Sequence, residues 1–210
     1  AERFVIATGS RPMVAPVDGL DLSGYLTTDD VFSLDRRPQR LLVLGAGPTG
    51  CELAQAFARL GSRVRLVELA DRVLPAEEPE ASAVIADALA SDGVDVHTGR
   101  RTVRAERRHG HITLQLDDGD RLGTDHVLVA TGRVPDTAPL ALDAAGVETA
   151  NGYVVTDNRL ATSAPGIWAA GDVTGRFPFA HAADEMGSVA ATNACGRFRR
   201  VFRGGPRFRG

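Results

Sequence analysis

Arg40-Leu41-Leu42-Val43-Leu44-Gly45-Ala46-Gly47-Pro48-Thr49-Gly50 decides how the rest of the chain is read. Five residues suited to a buried strand run into a glycine turn. An Ala-rich segment beginning at Cys51-Glu52-Leu53 follows, which predicts a helix over 51–60. Strand, glycine turn and helix in that order form a pyrophosphate-binding device. Gly45 permits the tight turn, Gly47 lets backbone approach phosphate, and Gly50 lets the helix lie close on its strand. Pro48 and Thr49 complete the loop. The helix N-terminus offers N–H groups and partial positive charge to an anion.

Working outward, Leu53, Phe57 and Leu60 fall on one helical face, and Gly61 is placed to end the helix. A strand is expected over 63–68, a helix over 79–91 with Val84, Ile85, Ala88 and Leu89 as its apolar stripe, and a strand over 94–97. The pattern then turns antiparallel. Ile112, Leu114 and Leu116 alternate with polar residues, Asp118-Gly119 signals a hairpin, and 126–130 reads as a buried strand. Upstream, 3–7 reads as a short strand. Residues 10–38 are loop-rich, with Thr28-Asp29-Asp30 able to cap a short helix. Downstream, short strands at 153–155 and 166–170 precede Gly171-Asp172 and a helix over 181–195.

Glu68 stands roughly 20 residues past the loop, at the predicted end of the second strand. A carboxylate there accepts hydrogen bonds from ribose hydroxyls and opposes a 2′-phosphate, which favours NAD(H) over NADP(H). Arg72, close in sequence, blurs that choice.

Composition sets outer bounds. The chain has 210 residues, 43% hydrophobic and 24% charged, with formal net charge −3. That is ordinary for a globular protein of one or two domains. No apolar run is long enough to span a bilayer, and no signal-peptide pattern is present, so no membrane association is expected. The two cysteines, Cys51 and Cys195, form neither a disulfide framework nor a zinc spacing, which points to a reducing, cytoplasmic setting. All 24 basic residues are arginine, which excludes a P-loop or Schiff-base lysine within the chain. His97, His109, His111 and His126 are scattered, and no metal site is expected.

Two echoing segments bracket the nucleotide unit: Val5-Ile6-Ala7-Thr8-Gly9-Ser10-Arg11-Pro12 and Leu128-Val129-Ala130-Thr131-Gly132-Arg133-Val134-Pro135. Gly166-Ile167-Trp168-Ala169-Ala170-Gly171-Asp172-Val173 follows. With the glycine loop, these resemble the pyridine nucleotide-disulfide oxidoreductases, of the dihydrolipoamide dehydrogenase and mercuric reductase type, across essentially the whole chain. The resemblance implies an α/β fold: a Rossmann-like NAD(P)-binding domain with an antiparallel β insert, plus part of an FAD-binding domain. The expected boundaries are an FAD-domain remnant at 1–11, the NAD(H) domain at 12–130, and the C-terminal part of the FAD domain with a connector at 131–210.

The same resemblance assigns roles. Asp172, after Gly171, would bond the ribityl chain of FAD. Gly132 and Arg133 would lie beside the FAD phosphates, and His181-Ala182 would face the flavin pyrimidine ring. Glu52 would sit near nicotinamide and flavin. Asp136 departs from the asparagine usual after the Gly-Arg-Val-Pro motif, so an amide role there is not expected. The chain resembles a fragment: the first FAD fingerprint, the redox CxxxxC pair and the dimerisation domain with its His–Glu dyad have no counterpart in it. The parent would be an FAD-dependent homodimeric oxidoreductase, and the fragment alone is expected to be inactive. The arginines at 197, 199, 200, 203, 207 and 209 read as a connector toward the dimerisation domain rather than a nucleic-acid site. Alternatives are a ferredoxin reductase-like NADH:flavin oxidoreductase without a redox disulfide, or a nucleotide-binding module without activity.

Overall fold

The structure, a computed structural model, describes residues 1–196 and 199–204. The chain divides into two compact units, one of residues 12–132 and one combining 1–11 with 133–210. Two short strands, β1 (Phe4–Ile6) and β2 (Ser10–Pro12), precede the first crossing between units.

The 12–132 unit is built in three layers around a parallel sheet. Its elements are α1 (Leu20–Ser23), β3 (Arg40–Leu44), α2 (Pro48–Arg59), β4 (Arg63–Val67), α3 (Pro79–Ser91), β5 (Asp95–His97), β6 (Thr102–Arg108), β7 (His111–Leu116), β8 (Arg121–Thr124) and β9 (His126–Val129). The sheet order is β5-β4-β3-β9, all parallel, with Leu42 opposite Arg65 on one side and Val127 on the other. Because β3 is central, its apolar run is split by the two-residue period of a strand. Leu41 and Val43 pack with Ala54, Val64, Leu66 and Leu89 on the helical side. Leu42 and Leu44 pack with Ile112, Leu114 and Leu116 of the antiparallel β6-β7-β8 sheet. The antiparallel insert is therefore the layer that covers the second face.

Several sequence expectations shift. Helix α2 begins at Pro48 rather than Cys51, since proline suits the first helical position and its missing N–H costs nothing there. Leu60 is 66% exposed and Val84 likewise 66% exposed; Cys51, Ala54, Ser82 and Leu89 are the buried helical positions instead. The insert has strands at 102–108 and 121–124 that hydrophobic alternation did not announce. In β6 only Thr102 and Ala105 are buried. What holds β6 in place is backbone: Asp18 N–H donates to Val103 O and Ala105 N–H to Asp18 O. The predicted cap at Thr28-Asp29-Asp30 is a 3-10 turn, Val31–Ser33, preceded by Asp30. The Asp30 carboxylate turns back to accept from Thr27 N–H at 2.9 Å and Thr27 Oγ1–H at 2.6 Å, which holds its pKa below the usual carboxylate range.

The other unit holds β10 (Arg133–Pro135), β11 (Thr149–Ala150), β12 (Tyr153–Val154), β13 (Ile167–Ala169) and α4 (Ala180–Cys195). Strand β1 runs parallel to β13, with Phe4 opposite Ile167. Strand β2 pairs with β10, and β11 with β12. Helix α4 buries Met186, Val189 and Ala190 with Leu160 and Phe202. Phe202 meets Phe177 edge-on, ring centroids 5.9 Å apart. Arg197, Arg207 and Arg209 of the basic tail lie outside the described residues.

Candidate functional site

A cleft of about 610 Å³ opens in the 12–132 unit, beside the C-terminal ends of the parallel strands. That is where open α/β sheets bind ligands, because the loops there diverge and helix N-termini point in. Gly45, Gly47, Pro48 and Thr49 line it, with Glu68 at the end of β4 and Ala130, Thr131 and Gly132 after β9.

Each loop glycine has its own physical reason. At Gly45, φ is +97°, and an added Cβ would stand 2.6 Å from Ala130 O. A Cβ on Gly50 would stand 1.9 Å from Gly45 O, so α2 can start where it does only because this position is bare. Gly47 differs: an added Cβ would meet nothing within 4 Å. Its N–H also has no acceptor among the described residues. Gly45 and Gly50 thus serve packing, while Gly47 faces open space.

Glu68 is tied to the loop. Its Oε2 accepts from Ala46 N–H at 2.6 Å and its Oε1 from Ala70 N–H at 2.9 Å. The carboxylate therefore clamps the glycine turn to the end of β4, keeping further lone pairs toward the cleft. Sequence reasoning foresaw the acid at this edge but not the clamp. It also did not foresee Arg100, Arg101 and Thr102, which line the same cleft. The signal was available: only two residues separate them from β5, and segments leaving parallel strands at this edge border the crevice.

Glu52 is exposed on α2 and is not among the cleft residues. Cys51 is buried; its thiol donates to Ala46 O at 3.3 Å. Burial first, then the charges of Glu68 and Glu52, push its pKa up to about 11.

In the other unit, the structure links two of the named positions, Arg133 and Asp172, through Ser10. Arg133 Nε donates to Ser10 Oγ at 2.8 Å, and Ser10 Oγ–H donates to Asp172 Oδ2 at 2.7 Å. Gly171 has φ +79° with an extended ψ of −157°, a backbone conformation that favours glycine, and it precedes Asp172 at the start of a 3-10 turn, Asp172–Thr174. His181 is exposed in the first turn of α4, its ring stacked on Phe179 with centroids 5.6 Å apart, and Ala182 is buried. Among the described residues no group of three or more His, Cys, Asp or Glu is gathered as metal ligands, and no helix is long and apolar enough to cross a membrane.

These features define a protein of the two-dinucleotide-binding flavoprotein class. Residues 1–187 match the family described as pyridine nucleotide-disulphide oxidoreductase, and the chain belongs to that family. It is 45% identical to a mercuric reductase of Streptomyces lividans over 92% of this chain and 42% of the relative. It is 39% identical to a dihydrolipoyl dehydrogenase of Thermus scotoductus over 94% of this chain and 44% of the relative. The HOCl-induced flavoprotein disulfide reductase RclA of Escherichia coli superposes with TM-score 0.89 at 32% identity, over 96% of this chain and 47% of that one. The chain thus spans somewhat under half the length of the curated relatives it matches.

Proposed function

We propose that the 12–132 unit binds NAD(H) in preference to NADP(H), as the nicotinamide-nucleotide portion of an FAD-dependent oxidoreductase. The observation that carries this reading is Gly47: a bare position with an unengaged N–H, at a helix N-terminus, opening into a cleft of 610 Å³. That volume is in the usual range for a cofactor site. The donor set fits a dinucleotide: loop amides for the diphosphate, and Glu68 for the ribose hydroxyls. Gly132 and Thr131 border the same cleft.

In the other unit, Asp172, Arg133, His181 and Ala182 are proposed to hold FAD. The chemistry of the set supports this. Asp172 Oδ1 is free of any bond among the described residues and can accept a sugar hydroxyl. Arg133 is a cation suited to phosphate. The buried Ala182 lies in the first turn of α4, where backbone N–H groups lack intrahelical partners. Nicotinamide and flavin, when bound, would supply hydride transfer. The chain's part is to clamp the diphosphate and orient the ribose. The names of the relatives, among them a mercuric reductase, a glutathione reductase and a flavoprotein disulfide reductase, support an enzyme that passes electrons onward to a disulfide or a metal ion; the homodimeric parent follows from the family resemblance alone.

Titration of the purified protein with NADH tests the reading. Binding with Kd in the micromolar to low-millimolar range is expected, roughly −8 to −4 kcal/mol. No binding at about 10 mM, or binding untouched by Gly47→Val, overturns it.

A further inference from the structure

One cation lining the cleft has no side-chain partner among the described residues. The Arg101 guanidinium makes no ion pair or hydrogen bond among the described residues; only its backbone is engaged, with Asp117. Its neighbour Arg100 also lines the cleft, but its Nη1 is paired with Asp118 Oδ2 at 2.7 Å. Arg100 N–H donates to Glu68 O at 3.0 Å, which ties the segment that carries both arginines to the end of β4 at Glu68. The adjoining Thr102 is buried, and its hydroxyl has no hydrogen-bond partner among the described residues. Arg72, the cation nearer in sequence, is held elsewhere. Its Nη1 lies 3.6 Å from Asp71 and its Nη2 donates to Pro75 O at 3.1 Å, and it does not line the cleft.

We propose that Arg101 is a specificity-determining residue, the counter-ion that lets this cleft accept the 2′-phosphate of NADPH, so that its preference for NADH is shallow. The inference rests on the dinucleotide reading of the cleft. A 2′-phosphate is borne on the ribose that Glu68 faces. Two backbone N–H groups already share the Glu68 charge, which softens its repulsion. An unpaired guanidinium at the same end presents a planar fork of donors that matches phosphate oxygens.

The test is fluorescence titration of the purified protein with NADH and NADPH at low salt, with displacement by 2′,5′-ADP. Wild type is expected to bind NADPH within about tenfold of NADH. Arg101→Gln, at an exposed position, should weaken NADPH and 2′,5′-ADP by about tenfold, the scale of one charge-assisted bond. NADH should move by no more than about twofold, the scale of an exposed charge. Arg72→Gln should leave both ligands unchanged. The proposal is overturned if Arg101→Gln affects both dinucleotides alike or neither, if Arg72→Gln reproduces the selective loss, or if wild type binds NADPH more than about a hundredfold worse than NADH. NADH binding with any of those results sinks only the role of Arg101. Absence of binding by either dinucleotide sinks the reading of the cleft and this inference with it.

Discussion

Replacing Gly50 by alanine separates packing from ligand binding in the glycine turn. The new Cβ would stand 1.9 Å from Gly45 O and 3.0 Å from Gly45 C. Both contacts are backbone, so no side chain can swing aside, and the start of α2 must retreat by more than an ångström. Gly45 cannot yield in turn, because its own Cβ direction meets Ala130 O at 2.6 Å. Alanine in a helix gains about 1 kcal/mol over glycine. Overpacking against fixed atoms costs about 1–3 kcal/mol, and the rigid backbone on both sides puts this site at the upper end. A net loss of about 1–2 kcal/mol follows, or a Tm lower by about 3–10 °C for a unit of this size. Gly47→Ala is the matched control. Its φ is −69° and its Cβ meets nothing within 4 Å, so stability should hold or rise by a few tenths of a kcal/mol. Its methyl group enters the space assigned to the diphosphate, and NADH affinity should fall by about tenfold or more. Thermal melts and NADH titrations on both variants decide the matter. If Gly50→Ala melts with wild type, or Gly47→Ala loses stability but not affinity, the division of labour among the glycines is wrong.

Glu68→Ala should lower both NADH affinity and stability, the latter by about 1–3 kcal/mol because the Ala46 and Ala70 amides lose a charged acceptor; unchanged affinity by titration calorimetry refutes the ribose assignment. Asp125 accepts from the Arg40 guanidinium at 2.7 Å, and this bond first of all holds its pKa below the usual carboxylate range. A depressed folded-state pKa stabilises above the unfolded value, near 3.9, and that contribution fades as pH falls through the folded value. Asp125→Asn should therefore be less stable than wild type at pH 7 and converge on it in acid; a gap that stays constant in urea melts down to about pH 2 contradicts this. The Cys51 thiol, raised to about 11 and buried, should resist a thiol reagent at pH 8, while the exposed Cys195 reacts; two fast thiols per native chain would refute the burial.

Much of the fold was legible where a local rule and its tertiary consequence agree. The run at 40–44 followed by three spaced glycines has few other uses, and Gly61 and Gly93 both end helices at positive φ. Legibility failed where polar residues were recruited by distant partners. Strand β6, with Arg104, Arg107 and Arg108 on it, carries little hydrophobic pattern and is held by the Asp18 backbone. Leu60 and Val84 kept the helical period but fell on the margin of their stripes, facing solvent. At the site, the acid of β4 was readable because strand length and spacing fix where a strand ends. The cation beside it was not: Arg72 and Arg101 differ in which guanidinium is already engaged, and that depends on contacts made after folding.

Sequence alone was enough to specify the strand–turn–helix, the order of the parallel unit, and a carboxylate at the cleft edge, because each follows from backbone sterics and periodicity within a few dozen residues. Only the tertiary structure decided that the carboxylate also grips the turn, that Ser10 bridges Arg133 and Asp172, and that an arginine with no side-chain partner among the described residues lines the cleft. Those outcomes depend on which hydrogen-bonding groups from far-apart segments the fold brings together and which it leaves unmatched, and no local pattern encodes that matching.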